Sequence, residues 1–200
     1  MDFIASYAAK NPQAVALIEG EHRLSWAEEL DRRNRLAFSL RALGIGRSDN
    51  VIVYEHNSLD CMIAPAAVRA IGAVAAPMNH RLTPEEVIYI LDNADATAVF
   101  VGDTFLPVAE AVRPHAGKVR HWILMGKERR PWAEALDDLV AGGRPEPPPT
   151  DAAQGLGGSM IYTGGTTGRP KGAIRGAVDP QVTMRFLEAL DLAEIGRAHV

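Results

Sequence analysis

The run Ser-Met-Ile-Tyr-Thr-Gly-Gly-Thr-Thr-Gly-Arg-Pro-Lys-Gly at 159–172 restricts what this chain can become more than any other part of it. Residues 159–162 are apolar enough to read as the end of a buried strand. The loop that follows holds four glycines, three threonines and one lysine. Glycine lets a backbone N–H approach an anion without a Cβ in the way. Successive N–H groups facing one concavity make an anion-binding nest. Threonine hydroxyls add donors, Lys171 adds a mobile charge, and Pro170 stiffens the backbone beside it. The pattern suits a polyphosphate ligand.

Two common phosphate loops are excluded by spacing. The Walker loop requires Gly-Lys-Ser/Thr, but Gly168 is followed by Arg169 and Pro170. The dinucleotide fingerprint G-x-G-x-x-G starts at Gly155 and Gly157, but its third glycine would fall on Met160.

The rest of the chain alternates between two periodicities. Helix patterns cover residues 3–9, the stretch from Ser25 to Gly44, a stretch capped by Asn57 or Ser58 that carries Met62, Ala66, Ala70 and Gly72, residues 84–93 and residues 106–112. Ser25 with Glu28 forms a capping box, and Thr83-Pro84-Glu85-Glu86 combines a cap, a first-turn proline and two acids facing the helix dipole. Strand patterns cover residues 14–18 and 22–24 as a hairpin, then 50–54, 73–77, 97–101 and 119–124. Residues 132–140 read as a further helix, and 142–150, with four prolines and two glycines, as a linker or surface loop. Beyond the loop, 172–175 reads as a returning strand. Asp179-Pro180 begins a helix whose stripe is Val182, Phe186, Ala189 and Leu190. Strands alternating with helices predict an α/β fold with parallel strands.

The segment Tyr162–Gly172 resembles the phosphate-binding signature of the adenylate-forming (AMP-binding) superfamily, Tyr-Thr-Ser-Gly-Thr-Thr-Gly-x-Pro-Lys-Gly, with Gly164 in place of serine. That superfamily includes acyl-CoA synthetases, aryl-CoA ligases, luciferases and the adenylation domains of peptide synthetases. Leu24-Ser25-Trp26-Ala27-Glu28, Asn34-Arg35-Leu36-Ala37 and Ala70-Ile71-Gly72-Ala73-Val74 resemble further family segments. Asn79-His80-Arg81-Leu82-Thr83-Pro84-Glu85-Glu86 is similar to a segment common in acyl-CoA synthetases, which favours acid–CoA ligases over peptide-synthetase domains.

The resemblance implies the N-terminal part of the large adenylate-forming domain, a mostly parallel sheet flanked by helices. It implies ATP, magnesium, coenzyme A and a small-molecule carboxylic acid as reaction partners. Thr163, Gly164, Gly165, Thr166, Thr167, Gly168 and Lys171 are the implied phosphate-binding residues. The family's metal-binding acidic motif, ribose-binding aspartate and catalytic lysine match nothing in this sequence, so no catalytic or metal-binding residue is assigned. These 200 residues taken alone are expected to be inactive, a non-catalytic nucleotide-binding stub, and another adenylate-forming enzyme such as a peptide-synthetase adenylation domain stays open as an alternative. The last seven residues, 194–200, match the translation of a common sequencing adapter, so native sequence is expected to end near Ala193, with 1–193 a partial domain lacking the C-terminal lid.

Other residues invite chemistry but read more simply as structure. Cys61, beside Met62 and Ile63, suits a small core position. His56, His80, His115 and His121 show no metal-ligand spacing. Glu85-Glu86 and Asp137-Asp138 are adjacent, so each pair points to different faces and suits caps and surface. A net charge of −4 and a pI near 5.9 argue against a nucleic-acid partner. One cysteine permits no internal disulfide, and neither a basic leader nor a run of ~20 apolar residues occurs. The cytoplasm is the expected compartment.

Overall fold

The computed structural model describes residues 2–47, 49–148, 155–163, 170–175 and 198–199. Helix α1 (Phe3–Lys10) is capped by Asp2, whose Oδ1 accepts from the Ala5 N–H at 3.1 Å. Strands β1 (Val15–Glu19) and β2 (His22–Ser25) form the expected antiparallel hairpin, turned at Gly20 with φ +57°. Helix α2 (Trp26–Ala42) starts with the full capping box: Ser25 and Glu28 satisfy each other's backbone N–H groups. It ends before Gly44, where φ is +81°.

The body of the fold is β3 (Asn50–Tyr54), α3 (Leu59–Ala70), β4 (Val74–Pro77), α4 (Pro84–Asn93), β5 (Ala96–Gly102), α5 (Leu106–Val112) and β6 (His121–Met125). β7 (Glu134–Ala135), α6 (Leu136–Gly142), β8 (Ser159–Thr163) and β9 (Lys171–Arg175) complete it. The larger sheet has the order β7-β6-β5-β3-β4-β8-β9, parallel throughout except for the final pair. A short β10 (Ala198–His199) pairs in parallel with β1.

Strands buried on both faces read as continuous apolar runs, and period-two alternation sends their residues to opposite cores. Val51, Val53, Ala75, Ala98, Phe100 and Ile123 pack against Leu36, Leu40, Ile63, Ala67 and Leu136 of α2, α3 and α6. Ile52, Tyr54, Ala76, Val99, Val101 and Leu124 pack against Val87, Ile90, Leu91, Leu106, Ala109 and Val112 of α4 and α5. The mostly parallel α/β architecture predicted from the alternation is therefore observed.

The helix expected over 132–140 begins only at Leu136. Glu134 and Ala135 pair with Ile123 and Leu124 instead, adding a short edge strand. Trp132 stands edge-on to Trp122 at 6.1 Å, so tertiary packing overrides local helix preference there. The proline-rich segment after α6 is packed down: the Asn34 side-chain amide donates to the Pro145 carbonyl at 2.7 Å. A Cβ at Gly143 would land on the Arg35 carbonyl. The helix expected from Asp179 onward lies outside the described residues.

α4 begins as its sequence demands, with Pro84 in the first turn and Thr83 and Glu86 reciprocally bonded. Thr83→Ala should destabilise the protein by about 1 kcal/mol, the usual worth of a lost N-cap. Urea denaturation measures it, and an unchanged midpoint would show that the cap contributes nothing.

Candidate functional site

β8 and β9 are joined by residues 164–169 and pair in antiparallel register from Ser159↔Arg175 to Thr163↔Lys171. Of the residues assigned to phosphate binding, Thr163 ends one strand and Lys171 begins the other, directly opposite and both exposed. Gly164, Gly165, Thr166, Thr167 and Gly168 lie outside the described residues. The stems thus bring the two ends of the motif together as a hairpin base. Thr163 ends a parallel strand at the same sheet edge as Tyr54, Pro77 and Gly102, the carboxyl edge where open α/β sheets hold their ligands.

Three contacts set where the hairpin sits. At its root, Gly157 lies against the turn after α3, its N–H donating to the Arg69 carbonyl at 2.8 Å. A Cβ there would land on the Ala73 carbonyl oxygen, so only glycine brings β8 beside β4. Met160 is buried in the core under α4 and α5. Near the far end, Tyr162 Oη donates to Asn93 Oδ1 at 2.9 Å, and Tyr89 Oη donates to the Pro170 carbonyl at 3.3 Å. The Tyr162 ring lies across Gly172, where an added Cβ would meet ring carbons at 3.0–3.2 Å. Burial, and then the neighbouring Tyr89 and Asp95, push the Tyr162 phenol above its ordinary value, so it keeps the proton it donates.

Sequence reasoning missed a second group at this edge. His56 follows β3 and His80 follows β4, and the parallel pairing of those strands sets the two rings 4.6 Å apart. Phe105 backs His56 at 4.7 Å. The Glu55 carboxylate covers Gly102, accepts from the His56 N–H at 2.7 Å, and is pushed up by burial. Only strand order could have brought these residues together, and spacing carries no trace of it. Among the described residues no group of three or more His, Cys, Asp and Glu could hold a metal ion. Cys61 is half-buried against the core, and burial, then Glu55, raise its thiol, consistent with a packing role. No described helix is long and apolar enough to cross a membrane.

The sequence profile of the family described as AMP-binding enzyme matches residues 4–177. A long-chain-fatty-acid–CoA ligase of Thermus thermophilus is 37% identical over 153 residues, which is 76% of this chain and 28% of that protein. A 3-methylmercaptopropionyl-CoA ligase of Ruegeria pomeroyi is 32% identical over 167 residues, 80% of this chain and 31% of that protein. Among solved structures, the inhibitor-bound N-terminal domain of FACL13 from Mycobacterium tuberculosis superposes with a TM-score of 0.76 at 30% identity, covering 86% of this chain and 43% of that one. A putative long-chain-fatty-acid CoA ligase from Rhodopseudomonas palustris gives a TM-score of 0.81 at 26% identity, covering 94% and 47%. The chain spans about a third or less of the curated relatives it matches. With the stems of the signature paired as a hairpin at the carboxyl edge of a parallel sheet, the chain belongs to the AMP-binding, adenylate-forming enzyme family, among relatives that are acyl-CoA ligases.

Proposed function

We propose that this chain supplies the phosphate-binding part of an ATP-dependent acid–CoA ligase. One observation carries the reading: the Thr163↔Lys171 pair closes the base of a loop whose sequence is built for polyphosphate. In the proposed reaction a substrate carboxylate attacks the α-phosphorus of ATP. The bond to the bridging oxygen breaks, pyrophosphate leaves, and an acyl-adenylate remains. The thiol of coenzyme A then attacks the acyl carbon and AMP departs.

Within this scheme Thr163, Gly164, Gly165, Thr166, Thr167, Gly168 and Lys171 hold the β- and γ-phosphates and stabilise charge on the departing pyrophosphate. Such charge stabilisation is electrostatic and preorganised, and asks no covalent role of the loop. Magnesium is the usual counter-ion of a nucleoside triphosphate. No group of His, Cys, Asp and Glu that could hold it occurs among the described residues.

Lys171→Ala removes one charge-assisted contact, worth about 2 kcal/mol, so pyrophosphate and ATP should bind roughly thirtyfold more weakly. Equilibrium dialysis with either ligand reads this. Equal affinity in parent and variant removes the phosphate-binding role of Lys171. Acid-dependent exchange of pyrophosphate into ATP tests the first half-reaction, and thioester formation with coenzyme A tests the second. Nucleotide binding without exchange would favour a non-catalytic nucleotide-binding domain. Exchange without thioester would favour another adenylate-forming activity.

A further inference from the structure

The hairpin that carries the loop is tied to the sheet at its root far more than at its tip. Between β4 and β8 the register contains one pair, Ala75↔Ser159, supported by the Ala75 N–H donating to the Gly158 carbonyl at 3.1 Å. The hairpin's own pairing continues to Thr163↔Lys171. Among the described residues β9 is the last strand of its sheet, and Ile174 on it is exposed. The ladder to β4 therefore does not fix the end of the hairpin that bears the loop.

Side chains of α4 reach that end. Tyr89 and Asn93 are four residues apart, and so lie on one face of the helix. Asn93 holds Tyr162, the residue before Thr163, on one stem. Tyr89 holds Pro170, the residue before Lys171, on the other. One helical turn thus grips both stems on either side of the Thr163↔Lys171 pair, Tyr162 on its root side and Pro170 on its loop side. Gly172 belongs to the same device, because the Tyr162 ring crosses β9 over it on the way to Asn93.

We infer that Tyr89 and Asn93 are positioning residues for the phosphate loop: α4 clamps the two stems and presets the spacing at which the loop's donors meet a polyphosphate. The inference rests on the phosphate-binding reading above. Neither residue touches the ligand, and both act through the backbone they hold.

The test uses the full chain, the variants Tyr89→Phe, Asn93→Ala, Tyr162→Phe and the pair Asn93→Ala with Tyr162→Phe, with Lys171→Ala as control. Two quantities are measured: amide exchange in β8 and β9, and dissociation constants for inorganic pyrophosphate. Tyr89→Phe keeps the ring, and Asn93 is exposed, so melting temperatures should stay near the parent's. Each single variant should speed exchange at the loop end of the hairpin and weaken pyrophosphate binding roughly threefold to tenfold, the worth of one neutral hydrogen bond. Asn93→Ala and Tyr162→Phe remove the same bond, so the pair should cost no more than either alone. A general loss of structure would instead make the costs add. Unchanged exchange in Tyr89→Phe and Asn93→Ala overturns the clamp. Faster exchange with unchanged pyrophosphate affinity, while Lys171→Ala still weakens binding, overturns the positioning role alone. Unchanged affinity in Lys171→Ala as well overturns the phosphate-binding reading and the inference with it.

Discussion

Gly157→Ala should lower stability by about 3 kcal/mol, the upper end of what overpacking costs, and lower the melting temperature by about 6–12 °C. The added methyl would land on the Ala73 carbonyl oxygen, with the Gly72 carbonyl carbon 2.7 Å away. These are backbone atoms and cannot rotate aside. Ala73 is fully buried, and its N–H donates to the Val68 carbonyl at 3.2 Å. Gly72 holds a left-handed φ of +83° and donates to the Arg69 carbonyl at 3.0 Å. Relief must therefore come from β8 retreating, which breaks the Gly157 bond to Arg69 and the Ala75↔Ser159 pairing. Gly142→Ala is the control, since nothing lies within 4 Å of its added Cβ. Thermal melts compare the two. If Gly157→Ala melts with Gly142→Ala, the close approach at the root of β8 is not what holds that strand.

The second large effect depends on pH. Glu29 on α2 is only 5% exposed, and its Oε2 has no hydrogen-bond partner. Burial pushes the carboxyl up to about 7, with Arg33 pulling it down and Asp2 pushing it up. Arg33 offers little relief, because its guanidinium is committed to Asp2 across the α1–α2 interface and to the Asn34 side-chain oxygen. Below the unfolded value of 4.5 both states hold the proton and no penalty exists. Between 4.5 and about 7 the unfolded chain releases its proton while the folded chain keeps it, so stability falls as pH rises. Above about 7 the full penalty applies, at most about 3 kcal/mol. Glu29→Gln should thus match the parent at pH 4 and exceed it at pH 8 by up to that amount, about 6–12 °C in melting temperature. Parallel stability profiles from pH 4 to 8 would show that Glu29 is not the group responsible.

Much of this molecule was legible because its signals are local. Ser25 with Glu28 and Thr83 with Glu86 begin their helices where expected, since a capping box is complete within four residues. The strands from β3 to β6 are apolar on both sides and bounded by turns, which is the pattern of a parallel sheet interior. The stems of the candidate site were readable for the same reason: Met160 and Tyr162 precede the glycines, and residues 172–175 return.

What was not legible depends on contacts between distant segments. β7 exists because β6 offers an open edge, and residues 134–135 alone carry no strand pattern. Met62 fits a helical stripe with Ala66 and Ala70, yet it is 41% exposed, and Ile63, Ala64 and Ala67 supply the fully buried face of α3. Glu29 occupies a first-turn position where an acid is ordinarily a surface residue facing the helix dipole; its burial is a tertiary effect that the local sequence does not carry. The demand for glycine at 157 is set by a turn that ends at Ala73, and the clamp on the loop stems by a helix that ends at Asn93.

The single registered pair between β4 and β8 also bears on how the chain assembles. Strands β3 to β6 are joined through consecutive helices, so their contacts close over short loops and can form early. β8 pairs with β4 across the whole segment from Ala75 to Ser159, whereas its pairing with β9 is local, so the long-range contact carries the larger loop-closure cost. Until that contact forms, β4, whose sequence is Val-Ala-Ala-Pro, is an uncovered apolar edge open to pairing with a strand of another chain. Docking of the hairpin thus covers that edge as well as completing the sheet. Substitutions that weaken the root at Gly157 should lower the yield of soluble protein at concentrations where the folded state is still the more stable one.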